Sequence, residues 1–127
     1  GVPEENLVLV DMNEVFCKAL TRRYGKARVV HGPAQDLPGL GLGALECVVS
    51  GLPMLNFPAS LQKDILGAVF AVLGSGGKLV QFTYGARPPV ERELLQAMHL
   101  EWRLRGRVWR NLPPANVYEF FRHAPPG

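Results

Sequence analysis

From Cys47 the chain reads Cys-Val-Val-Ser-Gly-Leu-Pro-Met-Leu-Asn-Phe-Pro, so an apolar run stops abruptly at Ser50-Gly51-Leu52-Pro53, with Phe57 shortly after. A buried strand that ends in such a loop usually puts the loop at the edge of a ligand crevice. The Ser50 hydroxyl and the peptide carbonyls around Leu52 are hydrogen-bond acceptors. An aromatic face, from Phe57 or from Tyr84, attracts a cation. A second chemical candidate is Asp11, which ends the apolar run Leu7-Val8-Leu9-Val10. Its carboxylate is suited to accept two hydroxyl hydrogen bonds, or simply to cap the helix that follows. His31, His99 and His123 are scattered, so no metal site is visible. Cys17 and Cys47 form no CxxC pair and read as reduced core thiols.

These residues need elements to hold them. The continuous apolar run Leu7 to Val10 reads as a buried parallel strand. Asn13 is a plausible cap for a helix from Glu14 to Tyr24, with Val15, Phe16, Ala19 and Leu20 as its apolar stripe and Gly25 as its stop. Ala27 to His31 reads as a second strand, and the Gly/Pro/Leu-rich stretch from Gly32 to Gly43 as a loop with at most one helical turn. Leu45 to Ser50 is a third strand. Ser60 caps a helix to Leu73, in which Leu61, Ile65, Val69, Phe70 and Leu73 recur at helical spacing. Gly74-Ser75-Gly76-Gly77 terminates it, and Lys78 to Tyr84 is a fourth strand. Pro88 and Pro89 precede a helix with Glu91 and Glu93 in its first turn. From Leu100 the pattern alternates, and with a turn at Asn111 to Pro114 and a last strand from Asn116 to Arg122 it predicts a long hairpin. Strands alternating with helices give a parallel sheet with helices on both faces, in one domain over residues 1–127.

With 127 residues, 47% hydrophobic and 20% charged, the chain has enough apolar mass for one real core. The formal net charge of +3 is compatible with an anionic partner without specifying one. No apolar run approaches a membrane span of roughly 20 residues. The first residues lack the pattern of a signal peptide, so the expectation is a cytoplasmic protein.

Three segments together resemble a known family. They are Ser50-Gly51-Leu52-Pro53, then Gln81-Phe82-Thr83-Tyr84-Gly85 after Gly76-Gly77, then Val108-Trp109-Arg110-Asn111-Leu112-Pro113-Pro114-Ala115. The set is similar to class I S-adenosylmethionine-dependent methyltransferases, and within them to the bacterial phospholipid N-methyltransferases, relatives of the rRNA adenine dimethylases. The resemblance implies an α/β, Rossmann-like sheet closed by a C-terminal antiparallel hairpin, with S-adenosylmethionine as cofactor. It implies that Asp11 binds the ribose hydroxyls and that Met12 packs on the adenine ring. The family usually shows Gly-Asp-Ala after the next strand; here Gly32-Pro33-Ala34-Gln35-Asp36-Leu37 puts Pro33 in place of that Asp, leaving Ala34, Gln35 and Asp36 as the adenine-side candidates. Ser50, Leu52 and Pro53 would form the loop that directs an amine lone pair at a sulfonium methyl, a reaction that needs mainly alignment. Phe57 would contact the substrate, and Tyr84 is the candidate base.

The family also begins with a strand and a glycine-rich loop that this chain does not show. Gly39-Leu40-Gly41-Leu42-Gly43 follows no strand and does not substitute. In the family order three-two-one-four-five-seven-six the first strand is central, so a gap is expected between two buried strands. The chain is then a fragment, or a partner fills the gap, or the sheet has closed. The leading activity implied is methyl transfer to an amine, most like phosphatidylethanolamine N-methylation at a membrane surface. The rivals are RNA adenine methylation and an inactive remnant that binds a partner or dimerises through a sheet edge. The arginine row Arg103, Arg105, Arg107 and the cluster Lys18, Arg22, Arg23, Lys26, Arg28 suit an anionic headgroup or nucleic acid equally. The plainer reading of the row is a charged edge that discourages aggregation.

Overall fold

The structure, a computed structural model, describes residues 4–83, 89–108 and 115–122. Tyr84 and the turn at 111–114 lie outside them. After a 3₁₀ turn at Glu4–Asn6, the chain runs β1 (Leu7–Asp11), α1 (Glu14–Arg23) and β2 (Arg28–His31). A 3₁₀ segment, Ala34–Leu40, leads to β3 (Leu45–Ser50); a shorter one, Met54–Asn56, leads to α2 (Ala59–Val72). Then come β4 (Leu73–Thr83), α3 (Arg92–Ala97), β5 (Leu100–Val108) and β6 (Ala115–Arg122).

The six strands form one sheet in the order β2-β1-β3-β4-β6-β5. The first four are parallel, and β6 runs antiparallel between β4 and β5. The expected hairpin is therefore present. The expected gap is not: β1 pairs directly with β3, from Leu7 opposite Cys47 to Val10 opposite Ser50. The Gly51 N–H extends the ladder to the Val10 carbonyl at 3.0 Å. Separating the two strands would strip both of buried backbone hydrogen bonds, and that drives closure.

The main core lies on one face of the sheet. Val8, Val10, Val48, Leu79, Tyr118 and Phe120 point into it, against Ile65, Leu66, Val69 and Phe70 of α2 and Ala34 and Leu37 of the 3₁₀ segment. On the opposite face α1 packs on β1 and β2. Of its expected apolar stripe, the side chains of Phe16 and Leu20 lie outside the described residues, while Val15, 77% exposed, and Ala19 face solvent and Cys17 is buried. The Cys17 thiol reaches the Asp11 carbonyl at 3.4 Å, so a short polarizable side chain lets the helix sit close to β1.

Two boundaries also move. Pro58, not Ser60, sits at the N-cap of α2, and its carbonyl accepts the N–H groups of Leu61 and Gln62 at 3.0 Å. The glycine stretch does not separate α2 from β4. Leu73 ends the helix and starts the strand, and the five-residue advance from Leu73 to Lys78 faces the two-residue advance from Leu45 to Cys47. The extra residues make an irregularity, and Gly76, with φ 77°, takes the left-handed turn in it. A Cβ on Gly77 would lie 3.0 Å from the Gly74 carbonyl oxygen and 3.1 Å from that of Leu45.

Gly77→Ala is accordingly expected to cost about 1–3 kcal/mol, because backbone atoms must give way. Gly67→Ala, mid-helix with nothing near the new methyl, should instead stabilise by about 0.5–1 kcal/mol. Urea denaturation of the two variants measures both, and equal effects would contradict this packing.

Candidate active site

Parallel strands place the ends of β1, β3 and β4 along one rim of the sheet. A cavity of about 660 Å³ runs along the sheet over Leu7, Leu9, Val49 and Val80 and reaches this rim at Asp11, Gly51 and Phe82, with Tyr24 beside it. That volume is in the range of small-molecule sites. Asp11 and Gly51 meet in it because β1 and β3 are neighbours. One Asp11 carboxylate oxygen accepts the Asn13 N–H at 2.8 Å, which turns the chain into α1. That is a turn ahead of the helix: the Asn13 carbonyl accepts the Cys17 N–H at 2.9 Å, so Asn13 holds the N-cap position and Asp11 is left lining the cavity. Met12 beside it is 54% exposed, and its carbonyl accepts a hydrogen bond from His31 Nε2 at 2.8 Å. That donation fixes the proton on Nε2 and the conformation of the rim. Nothing in the spacing of the histidines signals it.

The adenine-side candidates are placed differently. Ala34 is fully packed in the core, so only its backbone can meet a ligand. Gln35 and Asp36 are exposed on the 3₁₀ segment, outside the cavity lining.

The Ser50–Pro53 loop is held from both sides of the Leu52 residue. The Ser50 Oγ, 2% exposed at the residue level, accepts the Leu52 N–H at 3.2 Å. The Leu52 carbonyl accepts from Gln81 Nε2 at 2.6 Å and from the Met54 N–H at 2.8 Å. A carbonyl has two lone pairs, so the protein itself occupies both at Leu52. Exposed Gly51, between these two residues, is what the loop presents to the cavity. Pro53 is exposed and leads into the next 3₁₀ turn.

Two glutamines missed by sequence reasoning do this positioning. Gln81, 1% exposed, also donates to the Phe82 carbonyl at 2.9 Å, and its Oε1 is buried without a partner among the described residues. Gln62, inside α2, donates to the carbonyls of Met54 (2.8 Å) and Pro89 (2.9 Å) and so ties the loop to the entry of α3. The available signal was a glutamine on an apolar helix face, at i+3 before Ile65.

A second cavity, of about 830 Å³, lies beyond the loop, lined by Leu55, Phe57, Glu91, Glu93, Leu95 and Trp102 among others. Phe57 therefore stands on the other side of the loop from Asp11. Of the basic groups, Lys18 pairs with Glu14 at 3.3 Å on an exposed surface, a contact worth little. Arg103 reaches Glu119 at 3.9 Å and lies 4.6 Å from the centre of the Phe121 ring, on edge strand β5. Arg22, Lys26 and Arg28 are exposed. Among the described residues no three His, Cys, Asp or Glu side chains could hold a metal ion. No helix there is long and apolar enough to cross a membrane.

Comparison with known proteins agrees with this architecture. No family model matches the sequence. The fold matches a TehB-like S-adenosylmethionine-dependent methyltransferase from Corynebacterium glutamicum, with a TM-score of 0.59 and 16% identity, over 95% of this chain and 82% of that one. It also matches magnesium protoporphyrin IX methyltransferase from Synechocystis, solved with the methyl donor bound, with a TM-score of 0.58 and 13% identity over 92% and 60%. The chain thus has the class I S-adenosylmethionine-dependent methyltransferase fold, with the strand order of that class save for its first strand. In sequence it is 30% identical over 123 residues to the ornithine lipid N-methyltransferase of Singulisphaera acidiphila. The match covers 91% of this chain and 62% of that relative's length.

Two expectations follow. Burial pushes the Cys47 thiol up to about 11; the carboxylates of Glu119 and Glu46 add to the rise, and Lys78 opposes it. The folded state then keeps this proton while the unfolded chain loses it, so stability should fall as pH rises from about 9 to about 11. Cys47→Ala should flatten that part of a pH–stability curve. Second, Gln81→Glu should destabilise more than Gln81→Met, by at least about 2 kcal/mol, because a carboxylate would face the Leu52 carbonyl. Thermal unfolding near neutral pH reads the difference.

Proposed function

We propose that this chain is the core of an S-adenosylmethionine-dependent methyltransferase whose acceptor is the amine of a membrane lipid. The observation that carries the reading is the shared cavity of Asp11 and Gly51 at the ends of adjacent parallel strands. A carboxylate at a strand end beside an open apolar cleft suits a ribose, and the aromatic ring of Tyr24 offers apolar surface for a purine, while Met12 is exposed next to Asp11 but outside the lining. These residues fit the donor, which supplies an electrophilic methyl on a sulfonium. What the chain contributes is alignment. With Ser50 and Gln81 holding the Leu52 peptide, the exposed Gly51 peptide is the part of the loop that borders the cavity where an amine would be directed. Phosphatidylethanolamine and ornithine-type headgroups both present such an amine. The exposed cations Arg22, Lys26 and Arg28 favour an anionic bilayer, where each cation near the surface adds about 1 kcal/mol.

A second reading has its own support. The β1–β3 ladder occupies the place of the family's first strand, which favours a fold that keeps partner binding without methyl transfer.

Isothermal titration of S-adenosylmethionine into the chain separates the two. The active reading expects saturable binding, weakened about tenfold or more by Asp11→Asn, since a hydrogen bond to a charged group is worth about 1.5–3 kcal/mol. It also expects methyl transfer to vesicles containing phosphatidylethanolamine or ornithine lipid. No binding at millimolar ligand would leave the second reading standing.

A further inference from the structure

The cavity beyond the loop has a composition that the methyl-transfer reading does not by itself require. Its lining is mixed: Leu55, Phe57, Leu95 and Trp102 form an apolar part, and Gln62, Glu91, Arg92 and Glu93 a polar one. Leu55 is 38% exposed and Trp102 45%, and Leu104, two residues on along the same side of β5, is 46% exposed. Large apolar side chains left together in water mark a binding surface. The Trp102 ring is not loose: it stands edge-on to buried Tyr118 with centroids 5.6 Å apart. The acidic residues Glu91 and Glu93 flank Arg92 in the lining, so two carboxylates against one guanidinium leave one net negative charge there, in a chain whose formal net charge is +3. A patch of the sign opposite to the whole molecule selects a cation. Gln62 binds the groove to the loop, since it holds the Met54 carbonyl of one and the Pro89 carbonyl of the other.

We propose that this groove binds an alkyl chain of the acceptor lipid, with Glu91 and Glu93 attracting its ammonium form to the groove and the amine reaching the Ser50–Pro53 loop after losing its proton to water. The proposal rests on the aminolipid reading above and adds where the hydrocarbon lies. A tail in the groove and an amine at Gly51 put the acceptor on the side of the loop opposite Asp11.

The test uses n-alkylamines below their micellar concentration, titrated into the full chain carrying Trp109→Phe, which leaves Trp102 as the single indole. Saturable change in Trp102 emission is expected with dodecylamine. Removing two methylenes should weaken binding about tenfold, from about 0.8 kcal/mol per buried methylene. Ethanolamine should leave the emission unchanged, and dodecyl sulfate should bind at least about tenfold more weakly than dodecylamine. Calorimetry should show Leu55→Ser and Trp102→Ala each weakening dodecylamine severalfold, while Glu91→Gln/Glu93→Gln removes the preference over dodecyl sulfate. Leu55→Ser is a surface change, so it tests the groove even where Trp102→Ala unfolds. Affinity independent of chain length, equal binding of the anionic amphiphile, or full affinity in Leu55→Ser would overturn the proposal. Methyl transfer to tailed and tail-free amines at equal efficiency would also overturn it while sustaining the methyltransferase reading. Chain-length-dependent binding in a chain that transfers no methyl would uphold the groove and remove that reading.

Discussion

The pairing of β1 with β3 is the constraint from which the rest of the molecule follows. Both strands are apolar, and each carries a row of peptide groups that has no access to water once α2 covers the sheet. An unpaired buried peptide group costs about as much as a lost hydrogen bond. Joining the two strands avoids that cost along four residue pairs and one further N–H, that of Gly51. The same step brings Asp11 and Gly51 to one rim. The cavity they border lies over the apolar sheet face that α1 leaves uncovered, opposite the face packed by α2.

Once the sheet is closed, the loop after β3 has little freedom left. Ser50 lies in the core and has turned its hydroxyl to the Leu52 N–H. Gln81, its register partner on β4, grips the Leu52 carbonyl. Gln62 fixes the next turn from below. Buried side-chain amides of this kind are stabilising only when satisfied, and a half-satisfied one signals another demand on the site. Among the described residues Gln81 Oε1 has no partner, so the loop is held in place at some energetic cost. A rigid peptide carrying one exposed glycine is what alignment of a small nucleophile calls for.

The loop also divides the surface. On one side lie the carboxylate, Tyr24 and the floor of sheet residues; on the other lie Phe57, Trp102 and two glutamates. The two cavities differ in chemistry: the one at Asp11 is lined mainly by apolar sheet residues, and the one at Trp102 mixes apolar side chains with Gln62, Glu91, Arg92 and Glu93.

The elements and their class were legible from local pattern. Continuous apolar runs marked β1 and β3, helical spacing marked α2, and alternation marked β5 and β6, because those signals come from periodicity within a few residues. The sequence also pointed to Asp11 and to the loop at Ser50. Tertiary structure decided what those residues can touch. Closure of the sheet, the burial of Ser50, the double use of the Leu52 carbonyl and the placing of Phe57 away from Asp11 all depend on strands far apart in the chain. So do the roles of Gln62 and Gln81, whose partners lie 27 and 29 residues away in sequence. Local pattern shows that a glutamine falls on an apolar face; only the packed fold shows which carbonyl it was placed there to hold. The start of β4 at Leu73 has the same origin, since a glycine run that locally favours a turn was drawn into the ladder by the pairing of Leu73 with Leu45.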